Sequence, residues 1–305
     1  MPQNFYEVVA VFIVYAFLGW CTEVAYAAVN SGKFVNRGFL NGPYCPIYGC
    51  GVLVVVAGLT PLQDNLVVLF VGSMVLTSAI EFVTGFVLEK AFHKKWWDYS
   101  EVPFNIKGYV CLKFSILWGI ACTLVMKLMH PLIYKLITLS HNLVGIIILS
   151  VIMVAFAADL GITVATILKF NKRMKAMEEI AANLHKISDS IGEGIFEVVD
   201  TSMKRSEEFK ETHKEEIEKA EARMEKQKEK LAEEKERRQK EREELQARYR
   251  ELLETRTLGT RRLLKAFPQM KETRHTESFH RYREEFLQKL EEKKKHKEAN
   301  NDQNN

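Results

Sequence analysis

The chain has 305 residues, a formal net charge of +4 at pH 7, and 47% hydrophobic and 27% charged residues. This length suffices for two ordinary domains. The net charge is too small to indicate a nucleic acid partner. The five cysteines lie in or beside apolar segments, which excludes the disulfide scaffold of a small secreted domain. Apolar residues crowd into the first half and charged residues into the second, so we predict a membrane domain followed by a soluble tail.

A transmembrane helix needs about 20 mostly apolar residues to cross the hydrocarbon core of a bilayer. Five runs are candidates, namely 5–29, 47–59, 66–88, 109–129 and 143–168. The second run lies between Pro46 and Pro61 and is only marginally long enough, so a tilted or re-entrant segment is its alternative. The predicted fold class is all-α: a polytopic membrane helix bundle of about five transmembrane helices with a long charged cytoplasmic helical tail.

Basic residues in short loops predict the orientation, because Lys and Arg concentrate on the cytoplasmic side of a membrane protein. With the N-terminus outside, the cytoplasmic side would carry Lys33, Arg37, Lys90, Lys94, Lys95, Lys107, Lys169, Lys172, Arg173 and Lys175. The opposite side would carry only Lys127 and Lys135. We therefore predict a multi-pass protein with its N-terminus outside and its C-terminus in the cytoplasm.

The tail after the last apolar run is rich in charge. Between Gly194 and Gly259 there is no glycine or proline, and acid–base pairs four residues apart favour a helix. Ile217, Met224 and Leu231 are spaced by seven, but the next position of the series is charged. This pattern favours a single solvated helix over a stable coiled coil.

These patterns divide the chain into four predicted regions. They are a transmembrane bundle (1–170), a cytoplasmic connector (171–200), a long charged single helix or weak coiled coil (201–258), and a basic amphipathic helical segment with a disordered C-terminus (259–305). The basic stretch 261–268 could lie on an anionic membrane surface, dock on a partner, or pack against its own neighbour. The sequence leaves these three alternatives open.

Four ionisable residues fall inside the predicted spans: Glu23, Glu81, Lys113 and Asp159. Each costs about 2.5–3.5 kcal/mol at the centre of a membrane helix, so such residues normally face the interior of the bundle. In the predicted topology they share roughly one depth near the cytoplasmic ends of their helices. We therefore expect one connected polar site for a substrate or an ion. Two alternatives stay open beside it: Lys113 simply neutralises Glu81 or Glu23 as an assembly bond, or the charged side chains extend to the membrane interface.

Two loops on the predicted cytoplasmic side carry further candidates. The first is shaped by glycines and prolines and contributes Asn36, Arg37, Asn41 and Tyr48. Arg37 and the N-terminus of the second run would favour an anion. This anion is either a ligand or a carboxylate of the protein itself, and we favour the second interpretation. The second loop has paired tryptophans typical of the membrane interface, and its Asp98 and Asn105 are expected to help close the mouth of the site.

Several catalytic patterns are missing from the sequence. There is no phosphate-binding G-x-x-x-x-G-K-[ST] loop, no H-E-x-x-H and no CxxC pair. We therefore expect no ATPase, hydrolase or metal site in this chain, no enzyme activity and no cofactor. A membrane enzyme that uses carboxylates on a lipid headgroup is the weakest of the functional alternatives, because no nucleophile or metal set accompanies the acids.

The loop motifs together resemble a known family. The stretches 36–43, 45–49, 97–100 and 103–105, together with Glu81, are similar to those of the bacterial, permease-like family ABC-transporter type IV, over about residues 5–170. The resemblance implies a bacterial plasma membrane location, a permease-like role and a separate ATPase subunit.

Two functions follow as predictions. The first is a permease component of an ABC-type or related transporter, with a polar intramembrane site near the cytoplasmic face. The alternative is a membrane-anchored scaffold or regulatory protein whose charged tail binds a cytoplasmic partner. The expected partners are the lipid bilayer, an ATPase subunit or cytoplasmic protein, and a further copy of the chain in a homo-oligomer.

Overall fold

A computed structural model describes residues 2–208, 214–255 and 257–302. About 79% of the chain is helical, with almost no sheet. The chain divides into two compact units. The first comprises Met1–Asn171 with Thr257–Thr276, and the second comprises Lys172–Arg256 with Glu277–Asn305. The helical fold class predicted from the apolar runs is thus confirmed in its coarse form.

The first unit contains most of the apolar helices. In chain order its elements are α1 (Phe5–Ser31), α2 (Pro46–Leu59) with a 3-10 turn (Thr60–Leu62), α3 (Leu66–Phe92), β1 (Lys94–Lys95), β2 (Asn105–Ile106), β3 (Val110–Cys111), α4 (Leu112–Leu124), a π-helical turn (Val125–Met129), α5 (His130–Leu139) and the start of α6 (Leu143–Glu208). The remaining elements are α7 (Lys214–Glu254), α8 (Leu258–Ala266), β4 (Lys271–Glu272) and α9 (Thr276–Asp302). Strand β1 pairs with β4 and β2 with β3, both antiparallel.

Local sequence explains where these helices begin and end. Asn4 and Asn65 cap α1 and α3, because their side-chain oxygens accept hydrogen bonds from backbone N–H groups of the first turn. Pro46 occupies the first position of α2, where no N–H partner is needed. Gly32 ends α1 with φ 65°, and His93 ends α3 in the same left-handed conformation at φ 56°.

Four helical stretches are long and apolar enough to cross a membrane: Phe5–Ser31, Leu66–Phe92, Leu112–Leu139 and Leu143–Ile187. Many of their large apolar side chains are exposed, as expected of surfaces that lipid covers. The second predicted span forms the shorter apolar helix Pro46–Leu62. The structure therefore has four long spans where about five were expected. Pro46 and Pro61 lie near the two ends of the shorter helix, and its crossing of the bilayer stays a prediction.

The helices of the first unit run back and forth between two ends. At one end, Phe39 packs against Phe92 and Trp96, which brings the loop after α1 and the loop after α3 together. We call this end the loop face. At the other end, Tyr6 donates to the Ser140 carbonyl at 2.9 Å, so the start of α1 lies beside the end of α5.

A buried cluster holds α1, α2, α3 and the α4–α5 stretch together. It includes Val11, Val56, Leu69, Met126 and Ile137, each at most 4% exposed. Small residues allow the helices to approach closely: a Cβ atom on Gly49 would lie 2.5 Å from the backbone oxygen of Phe12, and one on Gly72 would lie 2.7 Å from a Leu59 methyl. Close backbone approach of this kind is typical of helix contacts in membranes.

The second unit differs in detail from the predicted tail. Helix α6 continues to Glu208, so the predicted connector 171–200 is helical, and predicted residues 209–213 of the long helix lie outside the described part of the chain. The C-terminal end of α7 is not solvated all round. The Arg281 guanidinium donates to the Tyr249 hydroxyl at 3.2 Å, and Tyr249 is 8% exposed. Helix α9 extends to Asp302, and the disorder expected at the C-terminus stays a prediction, since residues 303–305 lie outside the described part of the chain.

Candidate functional site

Glu23 lies on α1, about two turns before its end, and has two partners. The Tyr48 hydroxyl donates to Glu23 Oε1 at 2.7 Å, and Arg37 Nε lies 3.4 Å from Glu23 Oε2. The Arg37 guanidinium also lies over the Tyr26 ring, 5.5 Å from its centroid. The sequence left two anions open as partners of Arg37, a ligand and a carboxylate of the protein itself. The structure contains the second, because Glu23 lies beside Arg37.

Glu81 lies in the middle of α3 and is 8% exposed. The Tyr99 hydroxyl donates to Glu81 Oε1 at 3.2 Å. Burial, followed by the charge of Glu81, raises the pKa of Tyr99 well above its usual value, so the phenol keeps its proton and serves as donor. Glu81 Oε2 is buried and has no hydrogen-bond partner among the described residues. Much of the hydrogen-bonding capacity of this carboxylate is therefore unused.

Both carboxylates line one cavity of about 400 Å³. Its charged lining residues are Glu23, Arg37 and Glu81. Aromatic side chains form much of the wall: Phe39, Tyr48, Trp96, Trp97, Tyr99, Trp118 and Phe267. A volume of this size lies within the range of about 300–1,000 Å³ that is typical of small-molecule sites. The combination of mainly apolar walls and a few polar groups is also typical of such sites.

Asp159 serves a different purpose from Glu23 and Glu81. Its carboxylate accepts hydrogen bonds from the backbone N–H groups of Asn41, at 3.1 Å, and Gly42, at 2.6 Å. The Asn41 side chain adds a bond of 2.7 Å to Asp159 and one of 3.1 Å to the Thr163 hydroxyl. Asp159 therefore holds the loop after α1, called the first loop, against α6. It is not among the residues that line the cavity.

Lys113 is exposed and has no ion pair with a described residue, so the structure does not contain the predicted assembly bond to Glu81 or Glu23. The reason is the start of α4, which begins at Leu112 and not near residue 109. Lys113 thus lies in the first turn of the helix, at the loop face. Of the four ionisable residues expected to form one connected site, the structure brings Glu23 and Glu81 to one cavity and places Asp159 and Lys113 elsewhere.

Two asparagines of the predicted loop site shape their own loops. The Asn36 amide oxygen accepts from Trp20 Nε1 at 2.8 Å and from the Gly38 N–H at 3.0 Å. The Asn105 side chain donates to the Val102 carbonyl at 2.9 Å and accepts from the backbone of the same loop. Neither asparagine lines the cavity. Among the predicted loop residues, only Arg37 and Tyr48 do so.

Asp98 contacts a segment that comes much later in the chain. Lys271 Nζ lies 2.6 Å from Asp98 Oδ2, and the Ser100 hydroxyl and N–H donate to Asp98 Oδ1. Burial alone would raise the pKa of Asp98, but the hydrogen bonds from Lys271 and Ser100 outweigh it and hold the pKa at about 2. The partner segment, Thr257–Thr276, belongs to the first unit and is called the return segment below.

Arg262 of the return segment binds the first loop. Its guanidinium donates to three consecutive carbonyls, those of Gly38, Phe39 and Leu40, each at 2.8 Å. Burial lowers the pKa of Arg262, and the charge of Asp159 opposes that change. The planar guanidinium has five N–H donors and can bind three neighbouring carbonyls at once, whereas an ammonium group cannot do so in the same geometry. The alternative in which the basic stretch packs against its own chain is therefore the one that the structure contains.

Two further contacts hold the return segment to the loop after α3. Phe267 packs edge-to-face on Trp96, with 4.9 Å between ring centroids, and both residues line the cavity. Lys94 and Glu272 form an ion pair in which each side chain is 1% exposed. Burial lowers the pKa of Lys94, and the charge of Glu272 opposes that shift. The return segment thus forms part of the cavity wall at the loop face.

Sequence reasoning missed several residues of this site. Tyr99 and Trp118 were not singled out, and Phe267 was noted only as part of the basic stretch. The signal for Tyr99 was its position beside Asp98 in a motif of the family. The partner of Lys94 could not be found, because 178 residues separate it from Glu272 along the chain.

Four apolar helices of spanning length indicate that this chain is a helical membrane protein. A family model described as "Putative ABC-transporter type IV" matches residues 10–164, so the chain belongs to that family, and the predicted resemblance is confirmed. No curated protein and no solved structure matches the chain.

Proposed function

We propose that the chain is a permease component of an ABC-type or related transporter that holds a small molecule in the cavity bounded by Glu23 and Glu81. The observation that carries the proposal is the buried, half-satisfied carboxylate of Glu81 beside this cavity. A buried polar atom without a partner costs about 1–3 kcal/mol, more when it is charged. An ionisable residue inside a membrane helix is a functional candidate for the same reason.

The position of the cavity supports this role. Its wall combines residues of α1, α2, α3 and α4 with residues of both loops, so one side of the site lies at the loop face. The return segment completes that side through Phe267. The count of Lys and Arg in the loops favours the cytoplasm for the loop face, in a bacterial plasma membrane with the N-terminus outside. A separate ATPase subunit would supply energy, because the sequence has no phosphate-binding loop.

Complementation tests the proposal with a matched pair of variants. A strain without the protein is complemented with wild type, Glu81→Gln or Glu89→Gln, and solutes are compared inside and outside the cells. Glu89 lies on α3 like Glu81 but bonds Tyr109 and does not line the cavity. We expect wild type and Glu89→Gln to restore the distribution of at least one solute, and Glu81→Gln to fail at equal protein level.

Purification in mild detergent separates this proposal from the scaffold alternative. An ATP-binding protein that co-purifies in fixed ratio, and whose ATP hydrolysis responds to Glu81→Gln, supports the transporter. If no solute differs between the strains with and without the protein, the transporter proposal is refuted. In the scaffold alternative a cytoplasmic partner is recovered equally well with wild type and Glu81→Gln.

A further inference from the structure

The charges that line the cavity do not balance. Among the residues that the structure describes, Arg37 is the only basic one in the lining, and its guanidinium already lies 3.4 Å from Glu23. Lys113, the other nearby candidate, is exposed and outside the lining. When both carboxylates are ionised, the described wall therefore carries one negative charge in excess, and that charge belongs to Glu81.

The excess charge belongs to a carboxylate that lines the cavity and has one oxygen without a partner among the described residues. Glu81 is 92% buried, since its exposed fraction is 8%, and its Oε2 has no hydrogen-bond partner among the described residues. Tyr99 occupies only the other oxygen. A carboxylate in this position needs either a proton or a cationic guest, because burial of an uncompensated charge is costly.

The remaining wall suits an organic cation better than a metal ion. Aromatic rings of Tyr48, Trp97 and Trp118 line the cavity, and their faces attract ammonium groups and cover apolar carbon atoms. A hard divalent cation requires about six oxygen ligands. The part of the chain that the structure describes contains no group of three His, Cys, Asp or Glu residues able to hold a metal.

We infer that the cavity binds an organic monocation with one ammonium group and an apolar body of aromatic or short alkyl carbon. The ammonium group pairs with the Glu81 carboxylate, and the apolar body lies against the aromatic wall. The volume of about 400 Å³ is large enough for a molecule of this class. This inference rests on the proposed function in that it names the class of solute for the same cavity.

Binding to the purified full-length chain in lipid nanodiscs tests the inference. The probes are benzyltrimethylammonium and 2-phenylethylammonium, with 2-phenylethanol as the neutral analogue and 3-phenylpropionate as the anion. Calorimetry at fixed pH and salt should show at least tenfold tighter binding of the ammonium probes than of the alcohol, and no binding of the anion. Glu81→Gln should weaken the ammonium probes at least tenfold and leave the alcohol unchanged, while Glu89→Gln should bind like wild type.

Each contrary result overturns the inference. Equal affinity for the cation and the alcohol means that the cavity recognises apolar shape only, as it would for a lipid chain. Unchanged cation binding in Glu81→Gln means that Glu81 does not bind the positive charge of the probe. If Glu81→Gln does not fold, Glu81→Asp keeps the carboxylate and should retain the preference for cations, and the comparison among probes on wild type still decides.

The outcome is separable from that of the proposed function. Tight cation binding in nanodiscs without any solute difference between cells refutes the transporter and leaves the ligand class standing. Transport of a neutral or anionic solute that does not depend on Glu81 refutes the ligand class and leaves the transporter standing.

Discussion

Replacing Arg262 with alanine should release the return segment from the first loop. The guanidinium donates three hydrogen bonds of 2.8 Å, to the carbonyls of Gly38, Phe39 and Leu40. Hydrogen bonds from charged groups contribute about 1.5–3 kcal/mol each, so simple addition gives an upper limit of roughly 4.5–9 kcal/mol. Leu40 is fully buried, so its carbonyl lies where water replaces the lost donor poorly.

The realised loss should be smaller than that sum. Arg262 itself is only partly buried, and the freed carbonyls are hydrated once the segment detaches. Bonds that form as a unit are also not additive. We therefore expect Arg262→Ala to weaken docking by about 3 kcal/mol, which corresponds to roughly a 150-fold shift towards the detached state.

Hydrogen exchange in nanodiscs measures this shift. The N–H of Thr273 donates to the His93 carbonyl at 2.9 Å, so its exchange reports whether the return segment is docked. Arg262→Ala should accelerate this exchange about 100-fold or more when closing is fast relative to exchange. Arg262→Lys should recover little, because one ammonium group cannot reach three carbonyls in the same geometry.

Arg261→Ala is the matched control. The Arg261 side chain makes no hydrogen bond or ion pair to any residue in the described ranges, and its loss should leave the exchange of Thr273 unchanged. Equal exchange in the Arg261 and Arg262 variants would refute the claim that the guanidinium holds the segment in place.

Three further perturbations test separate parts of the first unit. Lys94→Met should destabilise docking by about 3–5 kcal/mol, since it leaves the Glu272 carboxylate buried and unpaired, and a second change, Glu272→Leu, should recover most of the loss in a thermal unfolding assay. The pKa of Asp98 lies at about 2, below its ordinary 3.8, so its ion pair with Lys271 should contribute in full above pH 3.8 and be lost as pH falls through 2. The hydrogen-exchange rates of the β4 amides in wild type and in Asp98→Asn should therefore differ above pH 3.8 and become equal only at the acid end of this range. Gly19→Ala should cost about 1–3 kcal/mol in an SDS unfolding titration, because the new Cβ lies 2.2 Å from a tyrosine ring of α2, whereas Gly51→Ala meets no atom within 4 Å and should be neutral; equal effects would contradict the packing argument.

Local patterns along the chain predicted much of the membrane architecture. Length and apolar composition identified the four long helices, because a bilayer imposes a minimum number of apolar residues on any helix that crosses it. Capping signals such as Asn4 and Asn65 also act within a few residues of their own helix. Such properties depend only on residues close together along the chain, so they can be recognised from the sequence alone.

The candidate site was predicted in part. Glu23 and Glu81 were recognised because a charge inside an apolar run is costly, and both line the cavity. Lys113 was expected beside them on the basis of depth alone. Its helix begins at Leu112, so the side chain lies at the end of the span. Helix ends cannot be read from hydropathy to within a few residues, and a shift of that size separates a buried charge from an exposed one.

By itself, then, the sequence determined the class of protein, the family, the long spans and the costly carboxylates, since each depends on composition or on short motifs. Only the tertiary structure decided which polar groups satisfy one another: Arg37 with Glu23, Asp159 with the first loop, and the return segment with the loop after α3. The physical reason is that hydrogen bonds and ion pairs have strict distance limits, whereas separation along the chain sets no limit on which groups meet. The free oxygen of Glu81 is what remains after those pairings, and it is therefore visible only in the folded protein.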